Sequence, residues 1–478
     1  MTSLRSDKFG KFYVTTAIAY VNAPPHIGFA LESIQADVIA RYHREKGEKV
    51  FFLTGTDEHG AKIARAAAAV NKNPQVFVDE QAKRFKDLKN VLNLSWDDFI
   101  RTTDEKRHWP NVVSVWEKLV EAGDIYKKKY KGLYCVGHEA FVTEKDLVDG
   151  KCKDHGLAPE IIEEENYFFK LSRWSDAVAK KIRSGELRVI PETRKNEILS
   201  FIDQGISDIS FSRPRKDLSW GIPVPGDETQ TIYVWADALV NYLFPESFWP
   251  ADVHIIGKDI LRFHALFWPA MLLSAELPLP KAIFSHGFVT VDGQKISKTL
   301  GNVIDPFELV ERYGADAVRY YLLREIPAYD DGDFSYKKFE DRYNGDLANG
   351  LGNFTARVLT LAEKTSLTGL KSLSGEIELE IKNTKKKVQE KMEEYKFHEA
   401  LGAIWDLISF GDGYVNKNKP WETKDSQVIF DLVTILDNLG ALISPFLPAT
   451  AEEITKSINW HGDELIIKKG EVLFPRLS

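Results

Sequence analysis

The chain has 478 residues, of which 44% are hydrophobic and 28% charged, with a formal net charge of −8. Those figures exclude wholesale disorder and predict two to four globular domains at roughly 100–200 residues each. Two cysteines exclude a disulfide scaffold and suit a reducing compartment, and the acidic balance means that any nucleic acid must be met by local basic patches.

In chain order, Phe12–Val21 reads as a buried strand rather than the apolar core of a signal peptide, because it runs into Asn22-Ala23-Pro24-Pro25-His26 without a small-residue cleavage site. Gly28 to His43 follows helical spacing, with Ile34, Val38, Ile39 and Tyr42 on the apolar side. Lys49–Thr54 reads as a second strand, ending in the polar run Gly55 to Gly60. Strand, helix, strand is a βαβ unit, and ligands of such sheets sit beyond the carboxyl ends of the strands, where the clusters around His26 and Asp57 fall.

From Lys127 to about Asp227 the strands are short and the charges dense, which reads as an insertion. Lys127–Lys131 within it reads first as a solvated charge run. Sheet character returns with Gln230–Trp235, His254–Gly257 and Ala282–Phe284 as strands and a helix over roughly Asp259 to Leu273. After Val303 the chain turns helical. Glu378–Lys396 is most simply a solvated helix face. No apolar run is read as reaching the roughly 18–20 residues of a membrane helix, the best candidate, Phe263 to Leu273, being broken by His264 and Pro269. A cytoplasmic protein without membrane contact is therefore expected, and a monomer is expected because no segment after the helical region reads as long enough for an appended dimerisation barrel.

Three motifs carry chemistry. Pro25-His26-Ile27-Gly28 sits between a strand and a helix N-terminus, an end that attracts phosphate, though a capping histidine in a turn is an equal reading. Gly293 to Gly301 brackets Lys295, Ser297 and Lys298 between glycines, which suits a developing triphosphate charge. Cys135-x2-His138 and Cys152-x2-His155 give four nitrogen and sulfur donors in two matching pairs, as a closed tetrahedral zinc site needs, with a chance arrangement or a knuckle that has lost its metal as the alternatives.

With His26-Ile27-Gly28-Phe29 and Lys295–Thr299 the sequence resembles the two signatures of class I aminoacyl-tRNA synthetases, Phe29 standing where that class usually has a second His and Thr299 replacing a Ser. Ala17–Asn22, Thr54–Gly60, Tyr233–Ala238 and Ile256–Ile260 narrow the resemblance to the methionyl-tRNA synthetase family, over essentially the whole chain. The resemblance implies an α/β fold: a split Rossmann-like catalytic domain (1–117 and 229–290) with a small metal-knuckle insertion (118–228, the knuckle at about 130–160). A Lys-loop and stem-contact linker (291–345) and an all-α anticodon-binding helical bundle (346–478) follow.

It also implies ATP with Mg²⁺, L-methionine and tRNA(Met) as substrates or partners, with a structural Zn²⁺ in the knuckle. An apolar, polarizable lining suits a thioether, and Ile18, Ala19, Tyr20, Trp235, Ala238, Tyr242, Ile260, Phe263 and His264 supply it, residues 260, 263, 264 and 267 being expected on one helical face. Asp57 is the candidate partner of the ammonium. His26, Gly28, Gly257, Asp259, Lys295, Ser297 and Lys298 are assigned to ATP, with His26, Lys295 and Lys298 as the catalytic set and Asp259 alternatively a helix N-cap. Asn349, Asn353, Arg357 and Trp421 are assigned to the anticodon. Competing readings are another class I synthetase, a small-molecule nucleotidyltransferase, and a non-catalytic tRNA-binding paralogue. The insertion of about a hundred residues is too short for the editing domain of the large-aliphatic synthetases.

Overall fold

Val14, Thr15 and Thr16 are β-branched and fully covered, and they form the middle of a seven-stranded sheet. The computed structural model describes residues 10–137, 140–142, 144–154, 156–296, 301–365, 367, 372–461 and 464–477. The chain divides into two units, the first built from residues 10–25, 46–87 and 96–285 and the second from 26–45, 88–95 and 286–477. The helix of the expected βαβ unit, Ile27–Glu45, thus belongs with the second unit, not with the sheet that flanks it in sequence.

In the first unit, Lys11–Thr16 runs parallel to Val253–Gly257 on one side and Lys49–Asp57 on the other. Beyond them lie Ala282–His286 and, parallel to it, Arg188–Ile190. Ala19–Tyr20 and Asp98–Arg101 both pair in parallel with Lys49–Asp57.

Several expectations need correcting. Phe12–Val21 is two strands, because the register slips by one: Thr15 opposes Leu53, whereas Ala19 opposes Thr56. Ala17 and Ile18 absorb the slip. Arg188–Ile190, inside the range read as an insertion, is a strand of the main sheet. Gln230–Trp235 is not a strand of that sheet. Asp227–Ile232 pairs antiparallel with Ser212–Pro214 and Pro223–Val224, and Val234–Ala238 is helical, its turn closed by Asp237 N–H donating to Tyr233 O at 3.0 Å. A short apolar run carries no period that separates the two states.

The expected helix over Asp259 to Leu273 is a 3₁₀ turn at Lys258–Ile260, a π-helical turn at Phe263–Phe267 and an α-helix at Trp268–Ser274. Pro269 has no N–H to donate to the preceding turn, which permits the wider winding. The strand Ile125–Cys135 pairs antiparallel with Glu160–Phe169, so that Lys131 faces Glu163 and Lys129 faces Glu165. This acidic strand neutralises the basic run, in line with a solvated charge face.

The second unit is mostly helical. Gly375–Glu393 buries Ile377, Ile381, Thr384, Val388 and Met392 on one side and leaves its Lys/Glu face in solvent. It packs with Phe397–Asn418 and Ser426–Ile443. Ser426–Ile443 overturns the reading that no apolar run is long enough for a membrane. It has 18 residues with mean hydropathy 1.4, of which 61% are buried inside the protein. Asp431 within it is fully buried and accepts hydrogen bonds from Ser374, Tyr414 and Gln427, as suits a core helix.

Arg319 is another buried charge of this unit. It pairs with Asp37 at 2.8 Å and donates to the carbonyls of Leu92, Pro445 and Phe446.

Candidate active site

The first unit gathers most of the residues assigned to the amino acid. Trp235, on the helix Val234–Ala238, stacks on Phe263 with ring centroids 3.8 Å apart and planes 5° from parallel. The edge of His264 meets the same indole at 6.1 Å. The His264 Nδ1 donates to Ile260 O at 3.0 Å, since a carbonyl only accepts. The neutral ring therefore carries its lone pair on Nε2, which accepts from the Tyr242 hydroxyl at 2.7 Å. Burial lowers the His264 pKa to about 4, so the ring stays uncharged at neutral pH.

Tyr20, Trp235, Ile260 and Phe263 pack on one apolar cluster that includes Tyr242, and Ala238 is buried on the same short helix as Trp235. Ile18 does not join them. It packs with Tyr13, Leu53, Ile100 and Ala251, on the opposite side from its neighbour Ala17, as alternation along an extended chain requires. Ala19 is buried in the short strand that opposes Thr56, and Tyr20 opposes Asp57, which is 7% exposed at the strand's carboxyl end. Gly257 ends its strand buried, and a Cβ there would lie 2.8 Å from Asp259 Oδ1. Asp259 is exposed and lies inside the 3₁₀ turn. Gly257 holds the cap position, so the N-cap alternative for Asp259 falls.

His26, Gly28 and Lys295 lie in the second unit. His26 Nδ1 accepts from Gly28 N–H at 3.1 Å, and its carbonyl accepts from Phe29 and Ala30 N–H. A Cβ on Gly28 would come within 2.9 Å of His26 Cε1, so the ring lies against a position that needs glycine. Burial lowers the pKa of His26. With Nδ1 accepting, the neutral ring carries its proton on Nε2, a donor suited to a phosphate oxygen. The two readings of this histidine thus coexist: Nδ1 caps and Nε2 is the donor. Lys295 is exposed, its Nζ 5.9 Å from the Phe288 ring centroid, and Asn302 Nδ2 donates to its carbonyl at 3.1 Å. Ser297 and Lys298 lie outside the described residues.

Asn349 and Asn353 are exposed, the first at the end of a π-helical stretch, Tyr343–Gly352, and the second at the start of the helix Asn353–Ala362. Asn349 Oδ1 accepts from Arg476 Nε at 2.7 Å. Arg357 donates to Asp412 Oδ1 and Asn416 Oδ1, both at 2.9 Å. Trp421 is 48% exposed just after Pro420. Cys135 and Cys152 are both 1% exposed in one small cluster with Val142, and neither forms a disulfide. His138 and His155 lie outside the described residues, among which no group of three or more metal-ligating side chains occurs.

Sequence reasoning missed several buried polar residues: Asp237 between His59 and His108, Glu58 gripped by Arg101, and His254, whose ring lies tilted by 32° against Tyr242 with centroids 4.2 Å apart. The only signal for them was adjacency, Glu58-His59 following Asp57 and Asp237 following Trp235 by two. A groove of about 550 Å³ beside Glu45, Ser444 and Lys456 contains none of the assigned residues.

A family described as tRNA synthetases class I (M) matches residues 12–157 and 142–359, and an anticodon-binding domain of tRNA ligase matches 375–474. The chain is a class I aminoacyl-tRNA synthetase by this measure, with a Rossmann-like catalytic part and a helical anticodon-binding part. It is 42% identical to the methionine–tRNA ligase of Caldanaerobacter subterraneus subsp. tengcongensis, across 98% of this chain and 79% of that one. It is 43% identical to the methionine–tRNA ligase of Thermotoga maritima, across 94% of this chain and 75% of that one. The solved Mycobacterium tuberculosis methionyl-tRNA synthetase in complex with methionyl-adenylate matches with a TM-score of 0.94 and 36% identity, covering 98% of this chain and 100% of that one. Within its class, the chain belongs to the methionine–tRNA ligase family.

Proposed function

We propose that this chain joins L-methionine to tRNA(Met) in two steps, with the side chains described above in specific roles. The methionine carboxylate attacks the α-phosphate of ATP, forming methionyl-adenylate as pyrophosphate leaves. A ribose hydroxyl of the terminal adenosine of tRNA then attacks the acyl carbon, and AMP leaves. No protein nucleophile is needed, so the protein's contribution is positioning and charge stabilisation.

The observation that carries this reading is the uncharged aromatic seat formed by Trp235, Phe263, His264 and Tyr242, in the unit that also holds the buried Asp57. The rings suit a thioether, and a carboxylate suits an ammonium. Tyr242 spends its proton on His264, so the seat offers no spare hydroxyl donor that a more polar side chain would exploit. Asp259 accepts from the ATP ribose, and Gly257 lets the nucleotide approach the backbone. His26 Nε2 donates to phosphate, while Lys295 and Lys298 neutralise the β- and γ-phosphate charge. Asn349, Asn353, Arg357 and Trp421 read the anticodon. A cytoplasmic location goes with this role.

ATP enters as its Mg²⁺ complex, the cation adding charge neutralisation at the phosphates. Two thiols buried in one cluster fit a soft divalent metal. Cys135 and Cys152, with His138 and His155, would hold a structural Zn²⁺ that staples the knuckle. Pyrophosphate exchange into ATP, measured across a panel of amino acids, tests the reading: methionine alone supports fast exchange. Asp57→Ala abolishes methionine binding by calorimetry while the melting curve stays that of a folded protein. Wild-type affinity in that variant refutes the role of Asp57.

A further inference from the structure

Asp237 is 1% exposed, and each of its oxygens is taken by a different histidine. His59 Nδ1 lies 2.6 Å from Oδ2, and His108 Nε2 lies 2.6 Å from Oδ1. Both histidines are buried too, and His59 sits between the rings of Trp109 and Trp220 at 6.1 and 5.6 Å. A carboxylate only accepts, so each histidine donates, and the geometry fixes both tautomers. Burial pushes the Asp237 carboxyl up, but the two histidines outweigh it and hold it below the ordinary carboxylate range.

The three residues come from three distant parts of the chain. His59 follows Asp57 at the end of the strand Lys49–Asp57. Asp237 lies on the helix Val234–Ala238, between Trp235 and Ala238. His108 directly precedes the helix Trp109–Glu121. The strand end is braced further: Trp220 Nε1 donates to Glu58 O at 2.6 Å, and Arg101 grips the Glu58 carboxylate at 2.7 and 2.9 Å. A bidentate guanidinium and a ring N–H leave the strand end little freedom.

We propose that Asp237 is a positioning residue that sets the distance between the ammonium-binding Asp57 and the side-chain seat at Trp235. An amino acid is held at two ends, so that distance measures the length of its side chain. A hydrophobic pocket alone discriminates one methylene by a modest factor, roughly 10–200-fold. Fixing both ends to one buried carboxylate sharpens the measurement, because a longer chain can be admitted only by breaking a hydrogen bond in the protein. This rests on the reading of the first unit as a methionine site.

The test compares methionine with ethionine, one methylene longer, and S-methylcysteine, one shorter, by pyrophosphate exchange. Asp237→Asn keeps the shape but can accept from only one histidine. His59→Leu removes the donor on the strand side. His59→Asn restores it, since an Asn amide nitrogen lies where Nδ1 does. In Asp237→Asn and His59→Leu, KM for methionine rises about tenfold and the preference for methionine over ethionine narrows by a similar factor. KM for ATP stays within about twofold. His59→Asn recovers most of the preference. A brace without a measuring role would lower the melting temperature and kcat but leave the methionine-to-ethionine ratio unchanged, and that result overturns the proposal. If His59→Leu does not fold, the ratio in Asp237→Asn and His59→Asn decides. If the wild-type protein shows no methionine-dependent exchange at all, the site reading fails instead, so the two failures are distinguishable.

Discussion

His264 shows how a single buried ring sets the chemistry around it. Its folded pKa of about 4 lies below the roughly 6.5 of an unfolded histidine, so the unfolded chain binds the proton first as pH falls. The stability this neutral ring confers is complete above pH 6.5 and drains away between 6.5 and about 4, on the order of 3 kcal/mol in all. His26 and His254 are shifted in the same direction by burial and add to the slope. Urea unfolding from pH 7.5 to 4.5 measures it. Methionine affinity between pH 7.5 and 6 stays flat on His264's account, because the ring does not titrate there. Lys298 belongs at the same scale: Lys298→Ala lowers the rate of pyrophosphate exchange by roughly 10²–10³ while calorimetric methionine affinity is kept, as loss of a group that meets only developing charge requires. Most of the assigned residues were picked out in the sequence because each lies in a short motif whose residue types suit the proposed ligand. Ile18 packs in a different apolar cluster from Tyr20 and Trp235, because a two-residue break in the strand changes which face a side chain takes. The Asp237 clamp had no sequence signal beyond adjacency to the assigned motifs, because its members sit at positions 59, 108 and 237 and only the fold brings them together.

Among the elements, runs buried on both faces announced themselves: Lys49–Asp57, Val253–Gly257 and Ala282–His286 all fall where continuous apolar sequence put strands. Elements defined by bonding rather than by burial did not. The π-helical turn at Phe263–Phe267 has an apolar pattern that an α-helix would share, and nothing in the spacing betrays the extra winding. Such turns are frequent at functional sites, and this one holds Phe263 and His264. At the other end of the chain, the helix Phe397–Asn418 stops at Lys419, whose φ of 42° is left-handed, and Pro420 opens the short turn Pro420–Thr423. The abrupt stop leaves the Trp421 ring in solvent rather than in the core. Replacing Trp421 with Ala therefore costs little stability. A lost stacking contact of roughly 1–3 kcal/mol raises KM for tRNA about tenfold or more in aminoacylation, while tRNA-free pyrophosphate exchange is unchanged. An equal loss in both assays would remove Trp421 from the tRNA-reading role.

For the molecule as a whole, the class of fold followed from the order of elements, but the division into units did not. Sequence order suggests that Ile27–Glu45 serves the sheet, yet this helix is tied to the second unit by Asp37, whose carboxylate meets Arg319 at 2.8 Å and Arg41 at 2.7 Å. Burial pushes Asp37 up, but the two guanidiniums outweigh it and hold its pKa below the ordinary value. The stability from this depressed carboxyl is present above about pH 4 and is lost as pH falls below that. Removing one member of a buried pair strands the other, so Arg319→Leu destabilises by about 3–5 kcal/mol in urea titration. A change under 1 kcal/mol would mean that the carbonyls of Leu92, Pro445 and Phe446 hold this junction without the charge.

That same ion pair constrains how the gene can be divided. A cut after codon 285 looks natural on a linear map, since it separates the sheet strands from the helices, but it parts Asp37 from Arg319 and leaves the buried Arg319 without its carboxylate, while Asp37 keeps only Arg41. Split-protein reporters or segmental isotope labelling of this chain therefore call for a junction in a surface turn within one unit. The left-handed glycine turn at Gly185 meets that need, with open space around its α-carbon.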